Sequence, residues 1–266
     1  MKPYTILKGL IKVPLIAHIP HASLFIPSEL RPSLLIDNEA LKGELLLLTD
    51  RYADELFSCI YEIGGISFIC NFSRMIVDVE RFEDDQVEMM SKKGMGAVYT
   101  KTSRGMDLRV DIRTQDGQTL IERFYRPYHE AFEQEVQNLL ALFEECLIMD
   151  CHSFSSNPLP FELDQDPQRP DICIGTDSFH TPPRLIETIE EFSNRTDLRI
   201  SFNKPYEGTY VPLKYLGIEK RVSSVMIEIN RKLYMDENTG EKLSAFNQMK
   251  EVIEGVVKAI IPNMKV

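Results

Sequence analysis

The chain has 266 residues, 43% of them apolar and 27% charged, with a formal net charge of −11. That length and apolar content suffice for one large α/β core spanning 1–266, and the negative field repels phosphate backbones and anionic surfaces, which argues against nucleic-acid and membrane partners. No apolar run reaches the roughly 20 residues of a bilayer span. Lys8, Lys12 and Pro14 interrupt any leader-like stretch, and the five cysteines form no C-x-x-C pair, so a soluble, cytoplasmic protein with buried thiols is expected.

Runs rich in apolar and β-branched residues at 13–19, 66–72, 75–79, 147–151, 172–175, 198–202 and 222–229 read as strands. From Glu39 to Ile60, the residues Leu41, Leu45, Leu48, Tyr52 and Leu56 recur at helical spacing and predict one well-buried helix. A second helix is expected after Arg126-Pro127, carrying Phe132, Val136, Leu139 and Phe143, and a third after Pro182-Pro183. The last, with Phe246, Met249, Ile253 and Val257 on one face, is expected to end near Pro262. This alternation predicts an α/β three-layer domain, a mixed and mostly parallel sheet with helices on both faces. Segments 91–105 and 153–170 fit no regular element and have the length of loops that cover sites.

The first strand, in V-P-L-I-A-H-I-P-H-A-S, carries two histidines at its end. Alternation puts His18 and His21 on opposite sides, and His21 lies where open α/β sheets bind ligands, beyond the strand's carboxyl end. The run C-L-I-M-D-C-H-S-F repeats the pattern with His152, and Asp150 shares its face, either to join a metal site or to orient the ring. A Ser–His–Asp triad using Ser153 lacks a G-x-S-x-G elbow and ranks below a metal. A zinc hydrolase needs a third protein ligand and an open position. Asp50, on a helical stripe with Leu46, Ala53 and Phe57, is the leading acid; an arginine ion pair is the structural alternative and Glu29 a rival ligand.

Glu228 lies inside R-V-S-S-V-M-I-E-I-N-R, on the face of Met226 and Asn230. A carboxylate in such company either rises in pKa or meets a cation, so it reads as a general base or as half of an ion pair. Arg74, Arg81, Arg104 and Arg231 stand at strand ends or in a glycine-rich loop of an acidic chain, which suggests a pocket for an anion.

Nine segments, I-P-H-A-S-L-F-I-P, T-D-R-Y-A-D-E-L-F, S-R-M-I-V-D-V-E-R-F, G-A-V-Y-T-K, Y-R-P-Y-H-E-A-F, D-C-H-S-F, P-D-I-C-I-G-T-D, P-Y-E-G-T-Y and I-E-I-N-R, occur in this order. Together they resemble the N-formylglutamate amidohydrolase family from about Pro14 to about Tyr234. The resemblance implies a zinc-dependent hydrolase with a fold like the zinc carboxypeptidases and aspartoacylase, cleaving the small molecule N-formyl-L-glutamate to formate and glutamate. His21, His152 and Asp50 would hold one Zn2+, with Glu228 activating water and Arg74 acting on the scissile carbonyl. Arg81, Arg104, Arg231 and Asn230 form the candidate substrate-binding set. Two departures stand out: Ala22-Ser23 where the family usually has Ser-Gly, and Glu80 where it usually has asparagine. A deacylase of another N-acyl amino acid or short peptide therefore remains an alternative, as does a non-catalytic protein that binds a carboxylate ligand.

Overall fold

The computed structural model describes residues 2–109, 115–261 and 264. Seven strands form one sheet: Tyr4–Leu7 (β1), Leu15–Ile19 (β2), Ile66–Cys70 (β3), Cys146–Phe154 (β4), Ile172–Gly175 (β5), Ile200–Phe202 (β6) and Val222–Asn230 (β7), in the order β1-β3-β2-β4-β7-β5-β6. The centre, β3-β2-β4-β7, is parallel; β1 and β5 add antiparallel to β3 and β7, and β6 lies parallel to β5.

The helices are Asn38–Leu48 (α1), Ala53–Leu56 (α2), Cys59–Glu62 (α3), Gln115–Leu120 (α4), Arg126–Phe143 (α5), Pro183–Ser193 (α6) and Phe246–Ile260 (α7). On one face of the sheet, Phe132, Val136 and Leu139 of α5 pack with Ile16, Phe68 and Ile148. On the other, Leu56, Ile60, Ile189 and Ile253, from α2, α3, α6 and α7, pack with Leu15, Ala17 and Met149. A side chain as fully buried as Phe132 contributes about 1.5–3 kcal/mol through apolar burial. The sheet is thus the middle of three layers, as the alternating pattern predicts. Its central strands are buried on both faces, which is why they read as continuous apolar runs. Any polar residue in them must find a partner inside the protein.

Three expectations are corrected. The run from Glu39 to Ile60 is not one helix: α1 ends at Leu48, Thr49 is extended, and Tyr52 has a left-handed φ of 66° before α2 begins. The helix stops because the Asp50 N–H donates to the His21 carbonyl at 2.9 Å instead of continuing the helical ladder. Residues 75–79 are not a strand but a turn-rich segment, with Ile76 N–H bonded to Ser73 O and Asp78 N–H to Ala97 O. Their apolarity reflects burial of Met75, Ile76, Val77 and Val79, not ladder pairing. Third, β1 carried no sequence signal, because its four residues form a half-exposed edge strand. Pro262, the expected end of α7, lies outside the described residues. All five cysteines are buried free thiols, and among the described residues no helix is long and apolar enough to cross a membrane.

Candidate active site

Strand register builds the site. His18 pairs across from Asp150 on β4, and His152 across from Glu228 on β7, so neighbouring parallel strands present His18, Asp150, His152 and Glu228 on one face near the sheet's carboxyl edge. The expectation that His18 points away from the site is corrected by Pro20: β2 ends at Ile19, alternation ends with it, and His21 comes to lie beside His152 with ring centroids 5.2 Å apart. Asp50, in the gap between α1 and α2, is fastened to His21 backbone to backbone.

His21, Asp50 and His152 converge: each offers one ligand atom, and these lie within 4.8 Å of one another. Asp50 Oδ2 is 3.0 Å from His152 Nδ1 and 3.7 Å from His21 Nδ1. His21 Nε2 faces Asp78 Oδ1 at 2.8 Å, which puts the ring proton on Nε2 and leaves Nδ1 as a lone pair. That Nδ1 is buried and has no hydrogen-bond partner. His152 Nε2 meets Asp150 Oδ1 at 2.9 Å, and Asp150 Oδ1 also receives His18 Nδ1 at 2.9 Å while its Oδ2 accepts the Tyr210 N–H. Each histidine thus has a carboxylate behind it and a nitrogen facing Asp50, an arrangement that fixes tautomer and orientation in metal sites. A buried lone pair with nothing to bind, two imidazoles and a carboxylate are a donor set that fits a divalent cation.

The electrostatics agree. Burial pushes the Asp50 carboxyl upward, but the hydrogen bond from His152, the neighbouring His21 ring and the charge of Arg231 outweigh it and hold it well below the usual range. Asp78 is also depressed, its burial overcome by Arg74, His21 and Arg81. Burial alone would lower His152, yet Glu80 and Asp150 hold its pKa well above the ordinary value. This crowd of carboxylates demands positive charge, which an imidazolium or a divalent cation supplies. Glu228 behaves oppositely: burial pushes it up to about 8, and its Oε2 is buried without a partner.

His21, Asp50, Glu80, Asp150, His152 and Glu228 line a cavity of about 300 Å³, with Arg74, Arg81 and Arg231 also in its wall and Asp78 behind it. Arg74 and Arg81 both lean on Asp78 Oδ2, at 2.6 and 3.5 Å, so two guanidinium groups share one carboxylate. Arg231 is committed elsewhere: its donors go to Asp50 Oδ1 at 2.8 Å, Ser153 Oγ at 3.0 Å and the Leu47 carbonyl. The ion pair weighed as an alternative to metal binding at Asp50 therefore exists, but on Oδ1, leaving Oδ2 to the histidines. Arg104 is exposed and does not line the cavity. Asn230, fully buried, donates to the Pro170 carbonyl at 2.9 Å and caps the Lys232 N–H, and it too is absent from the wall. Glu29, the rival ligand, is about half exposed and paired with Arg123.

Sequence reasoning missed Asp78, the carboxylate that organises His21, Arg74 and the Tyr99 hydroxyl (2.6 Å). Its signal, a carboxylate inside the apolar run I-V-D-V, was the one used for Asp50 and Glu228. Of the two expected cover loops, the second supplies Leu159, Phe161 and Glu162 to the cavity; the first contributes no wall residue and acts from behind through Tyr99.

Comparison with known proteins matches residues 13–235 to the N-formylglutamate amidohydrolase family. The chain is similar to the N-formylglutamate deformylase of Pseudomonas putida, 24% identical over 231 residues, 85% of this chain and 83% of that one. It is also similar to the protein of the same name from Pseudomonas aeruginosa, 23% identical over 267 residues, 95% and 93% of the two chains. The crystal structure of N-formylglutamate amidohydrolase from Ralstonia eutropha JMP134 superposes with a TM-score of 0.86 at 22% identity, covering 99% of both chains. With the match spanning most of its length, the chain belongs to the N-formylglutamate amidohydrolase family.

Proposed function

We propose that the protein is a zinc-dependent amidohydrolase that cleaves the N-acyl amide of an acidic amino acid, with N-formyl-L-glutamate, yielding formate and glutamate, as its substrate. One observation carries the reading: His21, Asp50 and His152, far apart in sequence, meet at one point beside Glu228. The names of the relatives supply the substrate. Bound by His21 Nδ1, His152 Nδ1 and Asp50 Oδ2, Zn2+ would polarise the scissile carbonyl and acidify water at neutral pH.

The chain's own residues do the rest. Asp78 and Asp150 hold the two imidazoles in the tautomers that present Nδ1 to the centre. Glu228, kept basic by burial, takes a proton from the attacking water and passes it to the leaving nitrogen. Arg74 stabilises negative charge developing on the carbonyl oxygen, and Arg81, whose Nε faces Asp78 while its side chain lines the cavity, grips a substrate carboxylate. Phe154, Leu159 and Phe161 line the same cavity and exclude water.

The test is formate release from N-formyl-L-glutamate before and after chelation, with zinc added back. Loss on chelation and recovery on reloading are expected; turnover unchanged in metal-free protein would eliminate the reading. A panel of N-acetyl, longer N-acyl and peptide substrates distinguishes the formyl assignment from a related deacylase.

A further inference from the structure

Between β4 and β5 the chain passes along the cavity, and Leu159, Phe161 and Glu162 of this loop form part of its wall, together with Tyr206 from a separate segment. Every residue from 155 to 168 is exposed or half-buried, so the loop has no core of its own. Its apolar support is borrowed: Leu159 and Phe161 lean on the small cluster around Leu41, Leu48 and Met75. Arg169, at the loop's end, is only 3% exposed although it is charged. It does not line the cavity, and the mechanism gives it no role.

The backbone of Arg169 stands on the sheet. Its carbonyl accepts from Arg199 at 2.7 Å, the next carbonyl, of Pro170, accepts from Asn230 of β7 at 2.9 Å, and β5 starts at Ile172. From this base the guanidinium reaches back across the loop. Nη1 donates to the Ser155 carbonyl, just past β4, at 3.4 Å, and Nη2 donates to the Asp164 carbonyl at 3.1 Å. Nη2 also pairs with Glu162 Oε2, while Nη1 donates to the Tyr206 hydroxyl at 2.9 Å, which itself donates to Glu162 Oε1 at 2.9 Å. The cation lies against the rings of Phe154 and Tyr206, 5.7 and 5.6 Å from their centroids. Ties from Ser156 to Glu237, Lys93 to the Phe161 carbonyl and Lys204 to Asp166 each hold one place. Arg169 gathers both ends of the loop, its middle and the facing Tyr206.

Resting on the amidohydrolase reading above, we infer that Arg169 is a positioning residue that sets the size of substrate the cavity admits. A guanidinium presents its donors in a rigid fork, so the carboxylate, hydroxyl and two carbonyls gathered around this one are held in a single arrangement. Glu162 and Tyr206 are thereby locked together, and Phe161 is carried with its neighbour. The cavity stays at about 300 Å³, the small end of the range for ligand sites, about 300–1,000 Å³. A wall that cannot yield is what separates substrates by size: one methylene too many in a fixed apolar pocket costs about 10–200-fold in efficiency. Both Glu162 oxygens are engaged by Arg169 and Tyr206, so this wall carboxylate reaches an acidic substrate with its charge already offset.

The experiment compares wild type with Arg169→Lys and with the double variant Arg169→Met/Glu162→Gln. Lysine can pair with Glu162 but cannot also hold Tyr206 and the two carbonyls; the double variant removes the ion pair and leaves no buried charge unpaired. Two readouts are taken: kcat and KM of zinc-loaded protein for N-formyl-, N-acetyl- and N-butyryl-L-glutamate, and hydrogen exchange of amides 155–168 without substrate. In both variants the preference for formyl over butyryl, as a ratio of kcat/KM, is expected to fall about tenfold or more, and loop exchange to quicken about tenfold or more. Arg169→Lys is expected to keep kcat for N-formyl-L-glutamate within about threefold, since no reacting group is altered, and it decides the matter if the double variant does not fold. A ratio within about twofold of wild type, an equal loss on every substrate, or unchanged exchange overturns the inference and leaves the amidohydrolase reading standing. A wild type that hydrolyses none of the three substrates overturns both.

Discussion

Asp78→Asn tests how the site is held together. The carboxylate is fully buried and serves four partners: His21 Nε2, Arg74, the Tyr99 hydroxyl and the Glu80 N–H, with Arg81 close by. Asparagine is nearly the same size, so packing is preserved, while the buried guanidinium of Arg74 and the neighbouring Arg81 lose their shared counter-charge. Removing one partner of a buried ion pair costs about 3–5 kcal/mol. A chain of 266 residues has an unfolding entropy at its midpoint of about 0.56 kcal/mol per degree, so Tm should fall by about 5–9 °C. Denaturant and thermal unfolding of chelated protein measure this free of metal linkage, with Tyr99→Phe as the control, expected to lose about 1.5–3 kcal/mol for a hydrogen bond to the charged Asp78 carboxylate. Separately, zinc affinity should drop about 10–100-fold, because His21 loses the group that fixes its tautomer. If Asp78→Asn is no less stable than the Tyr99→Phe control, the network around Asp78 does not carry the weight assigned to it.

Glu228→Gln should lower kcat about 10²–10⁴-fold with little change in KM, as expected for loss of a general base, measured by formate release. In chelated protein the same substitution has a pH signature: burial raises Glu228 from 4.5 to about 8, so between those values the unfolded chain gives up a proton that the folded chain keeps. Stability of the wild type therefore falls as pH rises through this window, the full cost being reached above about 8, and Glu228→Gln should flatten that slope in pH-dependent urea unfolding. Arg81→Ala should reduce kcat/KM for N-formyl-L-glutamate about 10–150-fold through loss of a charged hydrogen bond, while melting within a few degrees of wild type; equal efficiency would remove Arg81 from substrate binding. Arg104→Ala, on an exposed loop outside the cavity wall, should leave steady-state kinetics unchanged.

The parts of this architecture that were legible in the sequence are those set by local pattern. The buried strands β2, β4 and β7 announce themselves as apolar runs, and a polar residue inside such a run, as at His152 or Glu228, signals a partner because burial without one is costly. The amphipathic helices α5 and α7 follow from spacing alone. The unreadable parts were decided by tertiary contacts. Asp50 leaves the helical ladder because the His21 carbonyl, 29 positions earlier, competes for its N–H. Residues 75–79 look like a strand because they are buried, but the chain turns there to aim Asp78 and Glu80 at His21. Alternation placed His18 away from the site, yet it reaches His152 through Asp150, a link that depends on the register between β2 and β4. Arg231 and Asn230 read as substrate-binding residues, but spacing could not reveal that their polar atoms are occupied by the protein itself.

Zinc soaked into crystals of the protein, located by its anomalous scattering, tests the central claim most directly. A single strong peak within about 2.3 Å of His21 Nδ1, His152 Nδ1 and Asp50 Oδ2 is the predicted result. A peak bound elsewhere, with these three side chains keeping their metal-free contacts, would contradict it.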